Sequence, residues 1–261
     1  MRRAADGLRR VNVAGLLTML ALLGVWETAV RAASLQLTTL PPPSAVAARA
    51  GDLLLSGTLL ADLLHTLQVT LLGWLLAGAI GVALGLFLGL WRPAWRWSMA
   101  SLELLRAVPP ITLVPMALLV FGFSVRTELT LVVYASTWPV LVNTLEGARA
   151  VRPELRDVAR TLRLSRWETL RKVELPAAAP SILVGLQLGL SLALVLAIVA
   201  ELVGNPAGLG QGLVLAQLAL RPEEMFVYFF TIGLLGIGLN AVLRVLVARI
   251  PATTPYGRRE S

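Results

Sequence analysis

The chain contains no cysteine and only one histidine, His65. The absence of thiols excludes a disulfide framework and a thiolate metal site, and a single imidazole argues against a histidine-based metal centre. Charged residues are also scarce, at 15% of 261 residues, whereas 57% are hydrophobic and the mean hydropathy is +0.77. A soluble domain of this length could not keep so much apolar surface away from water. The composition therefore predicts a membrane protein.

Acidic residues are outnumbered, with 15 Asp and Glu against 23 Lys and Arg and a formal net charge of +8. Such an excess occurs in nucleic-acid-binding proteins, but here the arginines cluster at the ends of apolar segments. That distribution is typical of membrane topology and of contact with anionic lipid. We expect membrane lipid, and no nucleic acid, among the partners.

Six apolar segments are long enough to span a bilayer. They are predicted as helices over residues 11–30, 67–90, 99–123, 128–145, 177–203 and 225–247. With the amino terminus inside, the basic residues that fall outside are Arg31, Arg49, Arg126 and Arg221, and all others are cytoplasmic. The positive-inside rule then predicts an all-α integral membrane protein with six transmembrane helices and both termini in the cytoplasm.

The same segments divide the chain into four parts. These are residues 1–31, an N-terminal tail and first helix; 32–66, an external amphipathic segment; 67–250, a membrane core with a cytoplasmic loop over 146–176; and 251–261, a cytoplasmic tail. A cleaved signal peptide is the alternative for the first part. Its apolar run is too long and Arg31 spoils the cleavage site, so we expect an uncleaved helix.

Glycine and proline mark where helices meet and where they break. The second predicted helix carries glycines at mostly four-residue spacing, which predicts close contact with other helices: Gly73, Gly78, Gly81, Gly85 and Gly89. Three prolines exclude helix until past Pro43, and Pro109 and Pro110 predict a broken helix. Trp138 and Pro139 are expected to interrupt the fourth helix, and residues 205–212 to form a Gly-rich external connection.

The polar loop between the fourth and fifth helices holds eight of the 23 basic residues, more than any other such segment. Residues at i, i+3, i+4 and i+7 form one apolar stripe there: Leu155, Val158, Ala159 and Leu162. Ser165 and Glu168 form a capping box, which predicts a second short helix. Two interpretations remain open at this point: a loop whose arginines fix topology and touch lipid, or a docking surface for a cytoplasmic partner.

The spacing of this loop resembles a known motif. Asp157-Val158-Ala159, Arg163 six residues after Asp157, and Val173-Glu174-Leu175-Pro176 resemble the EAA loop of ABC importer permeases. The run DVARTLRLSRWETLRKVELPAAAPSILVGLQLGL is similar to the branch that serves nitrate, aliphatic sulfonates, taurine and pyrimidine precursors. The resemblance covers roughly residues 40 to 250.

The resemblance implies a type I ABC importer permease fold in a bacterial inner membrane, with residues 67–250 as the permease core. In that family the loop is a coupling helix that docks on an ATPase. For this chain the resemblance implies that the ATPase-coupling residues are Leu155, Asp157, Val158, Ala159, Leu162, Arg163, Leu164 and Trp167. It further implies two cytoplasmic ATPase subunits, a second permease copy in a homodimer or heterodimer, and an external binding protein. ATP and Mg²⁺ would bind the ATPase, and this chain, not itself an enzyme, would bind no cofactor.

The loop departs from the family pattern at three positions. Asp157 replaces glutamate, Val158 replaces the first core alanine and Arg163 replaces glycine. A glycine that ends a helix normally adopts a left-handed conformation, which costs another residue about 1–2 kcal/mol. Either the bend is made differently here, or the partner ATPase accepts an altered loop.

Polar residues within the apolar segments are candidates for a translocation path: Arg106, Thr137, Asn143, Gln187, Ser191 and Glu201. Interfacial positions are the alternative for the two charged residues, and interhelical hydrogen bonds for the four others. His65 is expected to be a cap or interface residue.

Two further functions remain as alternatives to an ABC permease. A self-sufficient secondary transporter would need ion-coupling acids or matched broken helices, and an enzyme would need a catalytic constellation. The membrane segments show neither pattern.

Overall fold

The computed structural model describes residues 13–32 and 40–249, and all of the regular elements in these ranges are helical. The predictions for Arg2, Arg3, Arg9, Arg10 and the tail 251–261 lie outside the described residues. The predicted all-α class is confirmed.

Eleven helices follow one another in these two ranges. They are α1 (Val13–Ala32), α2 (Pro43–Leu55), α3 (Thr58–Leu90), α4 (Arg92–Ala107), α5 (Val114–Phe121), α6 (Val125–Arg149), α7 (Pro153–Thr161), α8 (Arg166–Thr169), α9 (Leu175–Gly204), α10 (Leu209–Leu218) and α11 (Pro222–Ala248). A 3₁₀ turn, Pro110–Leu113, precedes α5, and a π-helical turn, Leu170–Glu174, joins α8 to α9.

Several helix boundaries depart from the sequence prediction, and two of the departures involve glycines. α3 begins at Thr58, well ahead of residue 67, because only Ser56 and Gly57 separate it from α2, with Gly57 at φ +77°. The predicted Gly-rich connection ends early, because α10 begins at Leu209 and includes two of its glycines. In both cases a glycine in the left-handed conformation immediately precedes the helix: Gly57 precedes α3 and Gly208 (φ +103°) precedes α10.

The described chain divides into two compact units. The first lies within Met1–Leu60 and Gly212–Phe230. There the Glu27 carboxylate accepts hydrogen bonds from the backbone and hydroxyl of Ser44 at 3.0 and 2.8 Å, which ties α1 to α2. Arg49 on α2 pairs with Glu224 at 2.8 Å, and Trp26 packs its ring 5.7 Å from that of Phe226.

The second unit lies within Ala61–Gln211 and Thr231–Ser261 and contains the core. One buried cluster joins α3, α6 and α9: Val69, Val132, Ala135, Ala193, Leu196 and Ala197. Another joins α5, α6 and α9: Val114, Ala117, Leu131 and Ala200. Helix α6 therefore lies against both neighbours along its length.

Glycines on α3 allow the closest of these contacts. A methyl group at Gly85 would lie 2.6 Å from Thr144 Cβ and 2.8 Å from the Leu141 carbonyl oxygen of α6. Gly81 and Gly89 face α6 in the same way, and Gly78 faces Leu186 of α9. The prediction that these glycines mark helix contacts is confirmed.

The prolines behave differently from one another. The break at Pro109 and Pro110 is confirmed, since α4 ends at Ala107 and the following segment turns by 78°. The predicted interruption at Pro139 is wrong, because α6 continues through it. Gly185 of α9 packs directly against the Pro139 carbonyl and Val140, and this tight contact holds the proline-containing turn in helical geometry.

Three helical stretches of the described chain are long and apolar enough to cross a membrane: Thr58–Leu90, Arg166–Val203 and Pro222–Ala248. The bent pair Arg92–Ala107 and Pro110–Phe121 adds a fourth if it forms a single span. Six spans and cytoplasmic termini remain predictions from charge and hydropathy.

Replacement of Gly85 by alanine should lower stability by about 1–3 kcal/mol, because the added methyl meets a backbone carbonyl that cannot move freely. A thermal-unfolding assay in detergent would show this as a lower Tm. The matched control is Gly233→Ala on α11, where nothing lies within 4 Å of the new methyl. Equal losses in the two variants would contradict a close α3–α6 contact.

Candidate functional site

The loop between α6 and α9 forms a folded projection with α7 and α8 at its centre. Pro153 occupies the first turn of α7, where its missing N–H leaves no bond unmade. Arg156 fastens α7 to the adjoining helices: its Nη2 donates to the Ala148 carbonyl of α6 at 3.1 Å, and its Nε lies 3.3 Å from a Glu174 carboxylate oxygen. The projection is therefore tied to both helices that it connects.

The predicted apolar stripe of this loop separates into two sides. Ala159 is buried, with 2% of its surface exposed, and Leu155 and Leu164 are half-buried. Val158, Leu162 and Trp167 are more than half exposed, at 55%, 65% and 68%. We call these three residues the apolar tip. Exposed apolar side chains grouped on a polar loop are typical of a contact surface for another protein.

Arg163 ends α7 in the conformation that a glycine normally adopts. Its φ is +52°, in the left-handed region. The Leu164 N–H donates to the Ala159 carbonyl at 3.0 Å, and the Arg163 N–H donates to the Arg160 carbonyl at 2.9 Å. This pair of bonds is the Schellman motif, with arginine at the position usually held by glycine. The substitution thus leaves the bend intact at the cost of backbone strain.

The capping box predicted for the start of α8 is present. The Glu168 N–H donates to Ser165 Oγ at 3.3 Å, and the Ser165 N–H donates to Glu168 Oε2 at 3.0 Å. The hydrogen bond from the Ser165 backbone, together with Lys172, lowers the pKa of Glu168 to about 2. Glu168 is therefore ionised at any physiological pH, and the start of α8 is held by a charge-assisted bond.

The surface around the apolar tip is polar and exposed. Asp157 is exposed and pairs with Arg160 at 3.0 Å within the same helix. Exposed ion pairs of this kind contribute little to stability. Asp157 and Arg160 are therefore free to exchange partners when another surface approaches.

The candidate path residues fall into separate groups. Arg106 is exposed on the last turn of α4, beside the break at Pro109. Thr137 and Asn143 donate to carbonyls of their own helix, those of Val133 at 2.7 Å and Pro139 at 2.8 Å. These bonds satisfy the side chains of α6 within the helix itself.

Gln187 and Ser191 lie one turn apart on α9. Ser191 Oγ contacts the Gln187 carbonyl and Asn240 Oδ1 of α11, both at 3.4 Å. The contact between Ser191 and Asn240 links α9 to α11, so the predicted interhelical hydrogen bond is present at Ser191.

Glu201 lies in a buried polar cluster in the last turn of α9. Its side chain is fully buried, and its two oxygens accept from Thr66 Oγ1 and from the Gly210 N–H, each at 2.8 Å. A side chain at Gly208 or Gly210 would collide with this carboxylate. The absence of side chains at these glycines therefore lets the connection approach Glu201 closely, where the Gly210 N–H reaches its carboxylate.

His65 and Glu128 complete the cluster. His65 Nε2 lies 3.1 Å from Glu128 Oε2 and 3.2 Å from Asn205 Nδ2. The expectation of an interface position for His65 agrees with these contacts. Glu128 was not singled out from the sequence, because a glutamate in a first helical turn is ordinary. The sequence does contain one indication: Glu128 lies at the start of an apolar helix, and a carboxylate buried there needs hydrogen-bonding or charged partners.

Comparison with known proteins now decides between the functions that the sequence left open. Residues 81–253 match the family described as "Binding-protein-dependent transport system inner membrane component". The chain belongs to this family. It is therefore the multi-pass inner-membrane permease subunit of a binding-protein-dependent ABC importer, and not itself an enzyme. A secondary transporter and a membrane enzyme are set aside.

Relatives of this permease cover most of its length. A putative aliphatic sulfonates transport permease of Bacillus subtilis (strain 168) is 30% identical over 90% of this chain and 86% of its own. A probable ABC transporter permease of Brucella melitensis is 30% identical over 81% and 86%. A nitrate import permease of Leptolyngbya laminosa is 28% identical over 57% and 53%.

Solved structures support the same fold. The permease matches a chain of the inward-facing MetNI methionine ABC transporter with a TM-score of 0.59 and 17% identity, over 72% of this chain and 96% of that one. It matches an amino acid ABC transporter with a TM-score of 0.56 and 21% identity, over 76% and 94%. At these identities the likeness concerns the fold alone.

Replacement of Arg163 by glycine should stabilise the turn after α7 by about 1 kcal/mol, because glycine removes the left-handed strain. Hydrogen exchange would report this as slower exchange at the Arg163 and Leu164 amides of the permease. The matched control is Arg166→Gly, in the first turn of α8, where glycine should instead loosen the helix. Faster exchange in Arg163→Gly would contradict the assignment of strain to this residue.

Proposed function

We propose that the loop between α6 and α9 couples this permease to its ATPase through the apolar tip. The observation that carries the proposal is the exposure of Val158, Leu162 and Trp167 on a loop whose own fold buries Ala159. An apolar tip surrounded by arginines suits a groove with an apolar floor and an acidic rim.

The role of each predicted coupling residue follows from its position. Val158, Leu162 and Trp167 supply the contact area, and Asp157 is an exposed polar group beside it. Leu155, Ala159 and Leu164 pack the loop beneath, and Arg163 makes the bend between α7 and α8. Contact energy in such interfaces is concentrated in a few large side chains, among which Trp167 stands first.

Force would pass from the tip into the membrane helices by two routes. The bonds of Arg156 to Ala148 and Glu174 tie α7 to the end of α6 and the start of α9. Helix α8, the π-helical turn and α9 then run on as one helical stretch, Arg166–Val203. A displacement of the tip therefore moves these helices as a body.

The assembly that fits this geometry contains two ATPase subunits, a second permease copy and an external binding protein. ATP and Mg²⁺ act on the ATPase pair, whose closure draws two coupling loops together and opens the path outward. A homodimer is the simpler arrangement, and a heterodimer with a second permease is the alternative.

We propose a small oxyanion as the solute, with an aliphatic sulfonate first and taurine or nitrate next; a heterocyclic, pyrimidine-precursor-like compound is the alternative. The 30% identity with the Bacillus subtilis sulfonate permease supports this assignment. Thr137, Asn143, Gln187, Ser191 and Arg106 remain candidates for the path, with Arg106 suited to an anion. Glu201 is withdrawn from that role, because its carboxylate is buried and hydrogen-bonded.

The solute class is tested with the complete importer in liposomes. ATP-dependent uptake of a labelled alkanesulfonate should exceed that of a matched alkylammonium salt, and an excess of nitrate or taurine should show whether either competes. Preference for a cationic or neutral solute would overturn the oxyanion assignment while leaving the coupling proposal intact.

Replacement of Trp167 by alanine should reduce binding-protein-stimulated ATPase activity and uptake by about tenfold or more, because it removes the largest side chain of the apolar tip. The measurement is ATPase stimulation in liposomes together with co-purification of the ATPase subunit. Val158→Asp should give the same result by placing a charge in the contact.

The matched control is Trp97→Ala, which removes an even more exposed tryptophan from α4, outside the loop. It should leave stimulation unchanged. Ala159→Asp is a poor test, because Ala159 is buried and its replacement would unfold the loop. Wild-type coupling in Trp167→Ala and Val158→Asp alike would refute the role of the tip.

A further inference from the structure

A buried cluster of metal-ligating side chains lies where the ends of three helices meet. His65 comes from α3, Glu128 from α6 and Glu201 from α9. One ligand atom from each of the three lies within 4.8 Å of the others. The coupling mechanism uses none of these residues, and the cluster is independent of the solute that is imported.

The charges of this cluster do not balance. The Glu128 side chain is 1% exposed and Glu201 is fully buried, and within residues 13–32 and 40–249 the cationic group that faces them is at most a protonated His65. Among the described arginines and lysines, none lies within 4.0 Å of either carboxylate. Buried carboxylates without matching positive charge are strongly unfavourable.

The hydrogen-bond roles around His65 also conflict. Nε2 faces the Glu128 carboxylate, which only accepts when ionised, and the Asn205 amide nitrogen, which only donates. A single ring nitrogen cannot donate to one and accept from the other. Rotation of the Asn205 amide by 180° would place its oxygen beside Nε2. The amide oxygen and nitrogen have nearly the same shape, so their positions are assigned from the surrounding hydrogen bonds.

A bound cation removes both difficulties at once. It would take the lone pair of a neutral imidazole, one oxygen from each carboxylate and the Asn205 amide oxygen. The Glu201 oxygens each accept one bond, from Thr66 and Gly210, and each keeps a second lone pair. Those two bonds would then orient the carboxylate toward the ion, as partners behind metal ligands commonly do.

We propose that His65, Glu128 and Glu201 bind a divalent transition-metal ion, with Zn²⁺ as the best fit. Imidazole nitrogen with carboxylate oxygen suits zinc, whereas calcium and magnesium prefer oxygen ligands alone. Tetrahedral zinc with bonds of about 2.0–2.2 Å places its ligand atoms about 3.3–3.6 Å apart, so ligand atoms that now lie up to 4.8 Å apart would draw together around the ion. The ion would clamp α3, α6 and α9 together beside the connection Asn205–Gly210.

The site revises the expectation drawn from the single histidine of the sequence. One imidazole suffices for a metal site when two carboxylates from distant parts of the chain complete it. Glu128 and Glu201 are 73 positions apart by their residue numbers, so spacing along the chain could not reveal the set.

The test uses the full chain in lipid nanodiscs, purified without a histidine tag and stripped with a chelator. After incubation with a small excess of ZnCl₂ and removal of free metal, the wild type should retain one zinc per chain by plasma mass spectrometry. Its Tm should rise by several degrees, and MgCl₂ at the same concentration should have no such effect. X-ray absorption at the zinc edge should show nitrogen and oxygen ligands with no sulfur.

Glu128→Gln and His65→Gln should lose the retained zinc and the rise in Tm, whereas the matched control Glu103→Gln, exposed on α4, should keep both. If a cluster variant fails to fold, the wild-type zinc content, Tm and absorption spectrum still decide the matter. A wild type that retains no zinc and shows no rise in Tm would overturn the proposal and leave a proton-sharing cluster. Retention of zinc by both folded cluster variants would overturn it equally, because the ion would then bind elsewhere.

Discussion

The close packing of α6 against α3 and α9 is the constraint on which the second unit depends. Side chains cannot be accommodated at Gly81 and Gly85 of α3 or at Gly185 of α9, because α6 backbone or Cβ atoms occupy that space. Without a hydrophobic driving force between helices in lipid, such contacts rely on van der Waals packing at short range. They also keep α6 helical through Pro139, where an isolated helix would bend.

This packing fixes what lies at the two ends of the helices. At one end, α6 and α9 present the loop that carries α7 and α8, fastened by Arg156. At the other, the same helices bring Glu128 and Glu201 against His65. A change in the relative position of α6 and α9 would therefore displace the residues of the apolar tip and those of the buried cluster together.

Much of this arrangement could be predicted from residue order alone. The capping box at Ser165 and the glycines of α3 are local patterns, and both lie where the sequence predicts them, whereas the apolar stripe around Ala159 is divided between a buried and an exposed side. Pro139 was misjudged because its local preference was outweighed by contact with α9. Glu128 was overlooked because its partners lie more than sixty residues away along the chain.

The sequence by itself determined the helical membrane class and the family, because hydropathy and the spacing of the loop motif are properties of neighbouring residues. It also determined that α7 must end near Arg163. Only the tertiary structure decided which side of α7 is exposed, that Arg163 adopts a left-handed conformation, and that His65 meets two glutamates. These depend on contacts between distant segments, and burial, not residue order, sets the free energy of such contacts.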